Sequence, residues 1–171
     1  TEDLIGWGRV CDRLYVWDYV TNFSNFLFPF PNWGVLQPNL RLFRDNGVKG
    51  VFEQGSCGDG GGGEFAELRM YVLAKLLWNP DENVPALIDA FLSGVYGPGG
   101  GELRRYIDEL ARIASAPELH ASIYDRPDAG YVTPELLDLA DACFDRAEAA
   151  AKDDAEALAR LRRLRLSIRY T

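Results

Sequence analysis

Two acids and a dense set of rings are the residues of this chain best suited to chemistry. Asp18 lies in "YVWDY" and Glu53 in "VFEQG", each near the C-terminal end of a run rich in β-branched and aromatic residues. If those runs are neighbouring parallel strands, about 4.8 Å apart, the carboxyls come within roughly 5–10 Å of each other. Glycosidases use that range for their acid/base and nucleophile pairs. The spacing is equally compatible with one or both acids capping a loop or pairing with an arginine. Around Asp18, Trp17, Tyr19, Phe23, Phe26, Phe28, Phe30 and Trp33 supply rings, and Asn22, Asn25, Asn32 and Gln54 supply amides. Rings cover the C–H face of a sugar while amides bind its hydroxyls. Core packing is the commoner fate of such rings, so about four of the seven are expected to be structural. Asn22-Phe23-Ser24 has the form of a glycosylation sequon, although its position in this loop favours a structural role.

Other motifs carry less. Gly58, Gly60 and Gly63 have G-x-G-x-x-G spacing. The dinucleotide motif turns directly from strand into helix, and here "EQGSC" intervenes, so a flexible glycine loop is expected instead. No Walker lysine is present. Cys11, Cys57 and Cys143 are widely spaced and odd in number, which argues against a disulfide framework or a metal site. One histidine, His120 in "APELHASIYD", excludes a site built from several imidazoles and reads as a surface or loop residue. No metal and no cofactor are expected.

The 171 residues carry a net charge of −8, which disfavours nucleic acid and anionic membrane surfaces as partners. No apolar run approaches the roughly 18 residues that span a bilayer. The chain opens at Thr1 without Met and reads as a piece of a longer protein.

The elements that would position these residues follow from the pattern. A helix end over 3–12 precedes a strand over 13–19, and a proline-broken loop leads to a short helix over 38–47. Pro38 suits its first turn and Asn46-Gly47 a left-handed exit. A second strand over 48–54 completes a βαβ unit, whose strands are parallel. After the glycine run, 63–79 reads as a helix, and after Trp78 nearly everything does: 83–97, 101–115, one opened by Thr133-Pro134, and one opened by Asp153 with Glu156 in a capping-box arrangement. The basic run Arg160, Arg162, Arg163, Arg165 and Arg169 faces an acidic run, Glu135, Asp138, Asp141, Asp145 and Glu148, on the preceding helix. Pairing between the two helices explains both runs without a ligand.

The blocks "VWDYVTNFSNFLFPFPN", "NLRLFRDNGVKGVFEQG", "GEFAELRMYVLAKLLWNP" and "FLSGVYGP", with the tail "RLRRLRLSIRY", resemble a bacterial family labelled a domain of unknown function, number 4838. The resemblance implies the C-terminal part of a TIM-barrel, glycoside-hydrolase-like module, often behind an α-glucuronidase-like N-terminal domain. It implies a parent working on polysaccharide in a secreted, periplasmic or cell-surface setting.

The expected fold is therefore α/β and predominantly helical: the last βα units of a (β/α)₈ barrel over residues 1–80, then an all-helical subdomain over 81–171. The expected function is that of a fragment of a glycoside hydrolase acting on carbohydrate, inactive by itself; the alternative is a non-catalytic carbohydrate-binding or structural module. Asp18 and Glu53 are the candidate catalytic residues, and Trp17, Tyr19, Asn22, Phe23 and Gln54 the candidate substrate-binding ones, all opening onto one ring-lined hollow. The remaining strands of the parent barrel are the expected partner. Alone, the piece would expose both sheet edges, so a homo-oligomer or repacked strands are expected.

Overall fold

In the computed structural model, residues 2–56 and 62–171 are described. Cys57 and the glycines Gly58 and Gly60 lie outside the described residues. The order is α1 (Glu2–Val10), β1 (Tyr15–Tyr19), α2 (Trp33–Asp45), β2 (Gly50–Gln54), α3 (Ala66–Trp78), α4 (Val84–Tyr96), a 3₁₀ turn (Gly97–Gly99), α5 (Gly100–Ala114), α6 (Pro134–Ala150), α7 (Ala155–Leu164) and α8 (Leu166–Tyr170). The chain is a mostly helical α/β protein, with two parallel strands alternating with helices and then a helical region.

The strands have not repacked. β1 and β2 pair in parallel, from Tyr15 opposite Gly50 to Tyr19 opposite Gln54. Lys49 N–H to the Leu14 carbonyl (2.8 Å) and Val20 N–H to the Gln54 carbonyl (3.0 Å) extend the ladder at both ends. Gly47 adopts φ +73°, the left-handed exit that lets α2 turn into β2.

α2 begins at Trp33, earlier than Pro38 suggests, and Pro38 lies inside the helix. Pro38 removes one helical hydrogen bond there. Burial of Trp33 and Leu36 offsets that loss. The Trp33 ring meets Phe65 edge-on at 6.3 Å, and the Arg69 guanidinium lies 4.7 Å from its centroid. α3 starts in a tight corner. A Cβ on Gly63 would lie 2.5 Å from the Phe26 carbonyl oxygen, so only glycine fits. Phe65 takes a left-handed φ of 48°, a strain on the order of 1 kcal/mol. Its ring, wedged between Trp33 and Tyr106, holds it there.

The later helices start as their caps dictate. Asn83 accepts from Ala86 N–H and Thr133 from Leu136 N–H. α7 is capped by Asp154, which accepts from Ala157 N–H (3.0 Å), not by Asp153. Glu156, freed from a capping box, pairs with Arg160 one turn on. The opposed charge runs do pair: Arg165 meets Asp141, Asp145 and Glu148, and Arg162 also reaches Glu148. One contiguous core runs from Val20, Phe28 and Trp33 through Phe65, Leu103, Tyr106 and Phe144 to Ile168. It joins the strand-bearing half to the helical half.

Candidate functional site

Side chains alternate across a strand, and this divides the candidate residues between two faces. On one face Val16, Asp18, Val51 and Glu53 turn toward the helices, with Val51 packed against the core. On the other, Tyr15, Trp17, Tyr19 and Phe52 are exposed. Asp18 and Glu53 are thus brought together as cross-strand neighbours. Trp17 and Tyr19 stand on the opposite face, so rings and acids do not share one hollow.

The carboxyl pair has unequal surroundings. Asp18 Oδ1 accepts the Tyr19 backbone N–H at 2.8 Å. Glu53 Oε2 is buried without a hydrogen-bond partner among the described residues. Burial first, and the neighbouring Asp18 charge second, push the Glu53 carboxyl up to about 7. Glu53 lines a hollow of about 280 Å³ with Thr21, Ser56, Ala66, Met70 and Leu73. The hollow lies between the strand ends and the first turns of α3. A carboxyl there can hold or give a proton near neutral pH.

The exposed face is built differently. Trp17 meets Phe52 edge-on at 4.9 Å. Trp17 Nε1–H donates to Gln54 Oε1 at 2.8 Å, which fixes the indole and leaves the amide nitrogen of Gln54 without a partner among the described residues. Tyr19 meets Phe23 at 5.4 Å, and Phe23 meets Phe26 at 5.7 Å. Phe28, Phe30 and Trp33 belong to the interior.

Most of the amides serve the loop. Asn22 is fully buried. Its Oδ1 accepts from Ser24 and Asn25 N–H, and its Nδ2 donates to the Asp125 carbonyl at 2.9 Å. Asn25 Oδ1 accepts from Leu27 N–H. Asn32 Nδ2 donates to the Val20 carbonyl. Gln54 and Asn25 are half-buried, and each keeps its amide nitrogen without a partner among the described residues.

Arg69 is the positioning residue that the sequence reading missed. It is buried and pairs with buried Glu64 at 3.1 Å. It also donates to Asn32 Oδ1, the Phe30 carbonyl and the Glu64 carbonyl. It thereby fastens the loop after β1 to the start of α3, beside the Glu53 hollow. Burial raises the Glu64 carboxyl pKa while Arg69 opposes the shift. The signal was available: Arg69 lies four residues after Phe65 and four before Leu73, on the apolar side of α3.

His120 is exposed in the segment between α5 and α6. Cys11 and Cys143 are free thiols. Among the described residues no group of three or more metal-ligating side chains occurs, and no helix is long and apolar enough to cross a membrane.

Residues 1–108 match the family described as a domain of unknown function, DUF4838. The chain belongs to that family. The matched part contains the βαβ unit, both acids and the exposed rings, and it ends inside α5. No curated protein and no solved structure matches the chain.

Proposed function

We propose that this DUF4838 chain is the closing part of a (β/α)₈ barrel of the glycoside-hydrolase kind, and that its exposed sheet face contacts carbohydrate. The observation that carries this reading is the division of the strands into a helix-covered face and a bare face of Tyr15, Trp17, Tyr19, Phe52 and Gln54. In a barrel, helices cover the outside and the helix-free face turns to the axis, with the chemistry at the C-terminal strand ends. At the C-terminal strand ends Tyr19 would lie against the C–H face of a sugar, and Gln54, held in place by Trp17, would donate from its amide nitrogen. Both outer edges of this two-stranded sheet would pair with the remaining strands of the parent.

Glu53 is suited to supply a proton, with Asp18 beside it as the second carboxyl of a glycosidase pair. Their hollow lies behind the rings, so a sugar would have to reach it around the strand ends, past Thr21 and Ser56. That geometry favours a second reading, in which the chain binds carbohydrate without cutting it.

Turnover of aryl glycosides by the full-length parent separates the two. Loss of turnover in both Asp18→Asn and Glu53→Gln supports the catalytic pair. Unchanged turnover in both removes these acids from the mechanism. Glycan-array binding that Trp17→Ala abolishes supports the ring face in either case, and no binding by wild type overturns the carbohydrate reading.

A further inference from the structure

The segment 116–133 lies beyond the residues matched to the family, yet it is stitched to the aromatic loop. Phe23 N–H donates to the Ile123 carbonyl at 2.7 Å, Asn22 Nδ2 to the Asp125 carbonyl at 2.9 Å, and Ser24 Oγ to the Tyr124 carbonyl at 3.1 Å. Three successive carbonyls of one segment therefore accept from three successive residues of the other.

The turn that supplies them is preorganised. Asp125 N–H donates to the Ser122 carbonyl, Ser122 N–H donates to Asp125 Oδ2, and Tyr124 N–H donates to Ser122 Oγ. Asp125 Oδ2 also accepts from the hydroxyl of Tyr131, which is buried beside Phe28 at 6.0 Å. On this fixed turn the Tyr124 side chain is 66% exposed. Its backbone runs alongside Phe23, whose ring touches Tyr19.

We infer that Tyr124 is an additional carbohydrate-contacting ring and a determinant of which glycans the site accepts. A large exposed aromatic on a rigid turn loses little conformational freedom on binding. The fully buried Asn22, spent on the Asp125 carbonyl rather than on solvent, has the function of holding that turn in register. This inference rests on the carbohydrate reading above, extends it to a segment beyond the matched residues, and makes the rim a product of both halves of the chain.

The test uses the full-length parent on a printed glycan array, with Trp17→Ala, Tyr124→Ala and Tyr124→Phe beside wild type. Tyr124→Ala should weaken binding roughly 3–10-fold, the effect of one aromatic contact. It should do so unequally among the glycans bound, without lowering the melting temperature, and Tyr124→Phe should recover most of the loss. Binding by Tyr124→Ala equal to wild type, while Trp17→Ala fails to bind, overturns the role of Tyr124 and leaves the ring face standing. Wild type that binds no glycan overturns both.

Discussion

Glu53 stands directly opposite Asp18 in the parallel register of β1 and β2, with one of its oxygens buried and unpartnered among the described residues. Two acids this close cannot both ionise freely, and the more buried one keeps its proton. Burial pushes the folded Glu53 carboxyl up to about 7, whereas in an unfolded chain it has the ordinary glutamate value. Between these values the folded state binds more protons, so stability falls as pH rises and levels off above about 7. The change should be on the order of 1–2 kcal/mol after solvent screening of a half-buried group. Thermal unfolding of wild type at pH 5 and pH 8 should show it. Glu53→Gln should remove the Glu53 share of the difference, leaving what buried Glu64 contributes in the same direction, and Asp18→Asn should remove a smaller part, because burial is the larger cause. A Glu53→Gln protein with the same pH profile as wild type would refute the assignment.

Arg69 holds three acceptors besides the Glu64 carboxylate in a buried setting. Arg69→Met would strand Glu64 without its cation and leave the Asn32 side-chain oxygen and the Glu64 carbonyl without their donor, while the Phe30 carbonyl keeps the Asn32 N–H. The expected cost is about 3–5 kcal/mol in urea unfolding. Glu64→Gln, which keeps a hydrogen-bonding group without the charge, should cost clearly less. Equal losses in the two variants would mean that the pair matters by shape and not by charge.

Arg165 is itself buried, but its partners Asp141 and Asp145 on α6 are at the surface and Glu148 is half-buried. Arg165→Met should destabilise by about 1–3 kcal/mol. The deficit should shrink in 1 M salt, where exposed charges are screened. A deficit independent of salt would point to packing of the arginine stem instead.

Four large rings, Tyr15, Trp17, Tyr19 and Phe52, share the bare face of a sheet with two open edges. Such a face promotes association. Sedimentation velocity of this chain should show concentration-dependent oligomers that Trp17→Ser with Phe52→Ser diminishes, at little cost in melting temperature. A strictly monomeric wild type across the concentration range would refute this.

Much of the fold was readable because local signals agreed. "YVWDY" and "GVFEQ" flank a helix that ends at Asn46-Gly47, and Gly47 indeed takes a positive φ. Asn83, Thr133 and their following prolines marked helix starts that the structure reproduces. Pro38 misled because tertiary burial of Trp33 and Leu36 extends the helix past a weak local breaker. The separation of Trp17 and Tyr19 from Asp18 was implicit in strand alternation, which puts adjacent residues on opposite faces. The fate of Asn22 was not legible, because its partner Asp125 is 103 residues away and no local pattern announces that contact. Arg69 was hidden by the ordinary presumption that an arginine faces water.

The boundary of the matched family falls at residue 108, inside α5. α5 buries Leu103, Tyr106, Ile107 and Leu110, and Tyr106 faces Phe144 of α6 across 6.3 Å. A polypeptide severed there would lose Leu110 and every side chain that shields the other three from beyond the cut. Trimming the chain to the matched residues would therefore bare Leu103, Tyr106 and Ile107 to water.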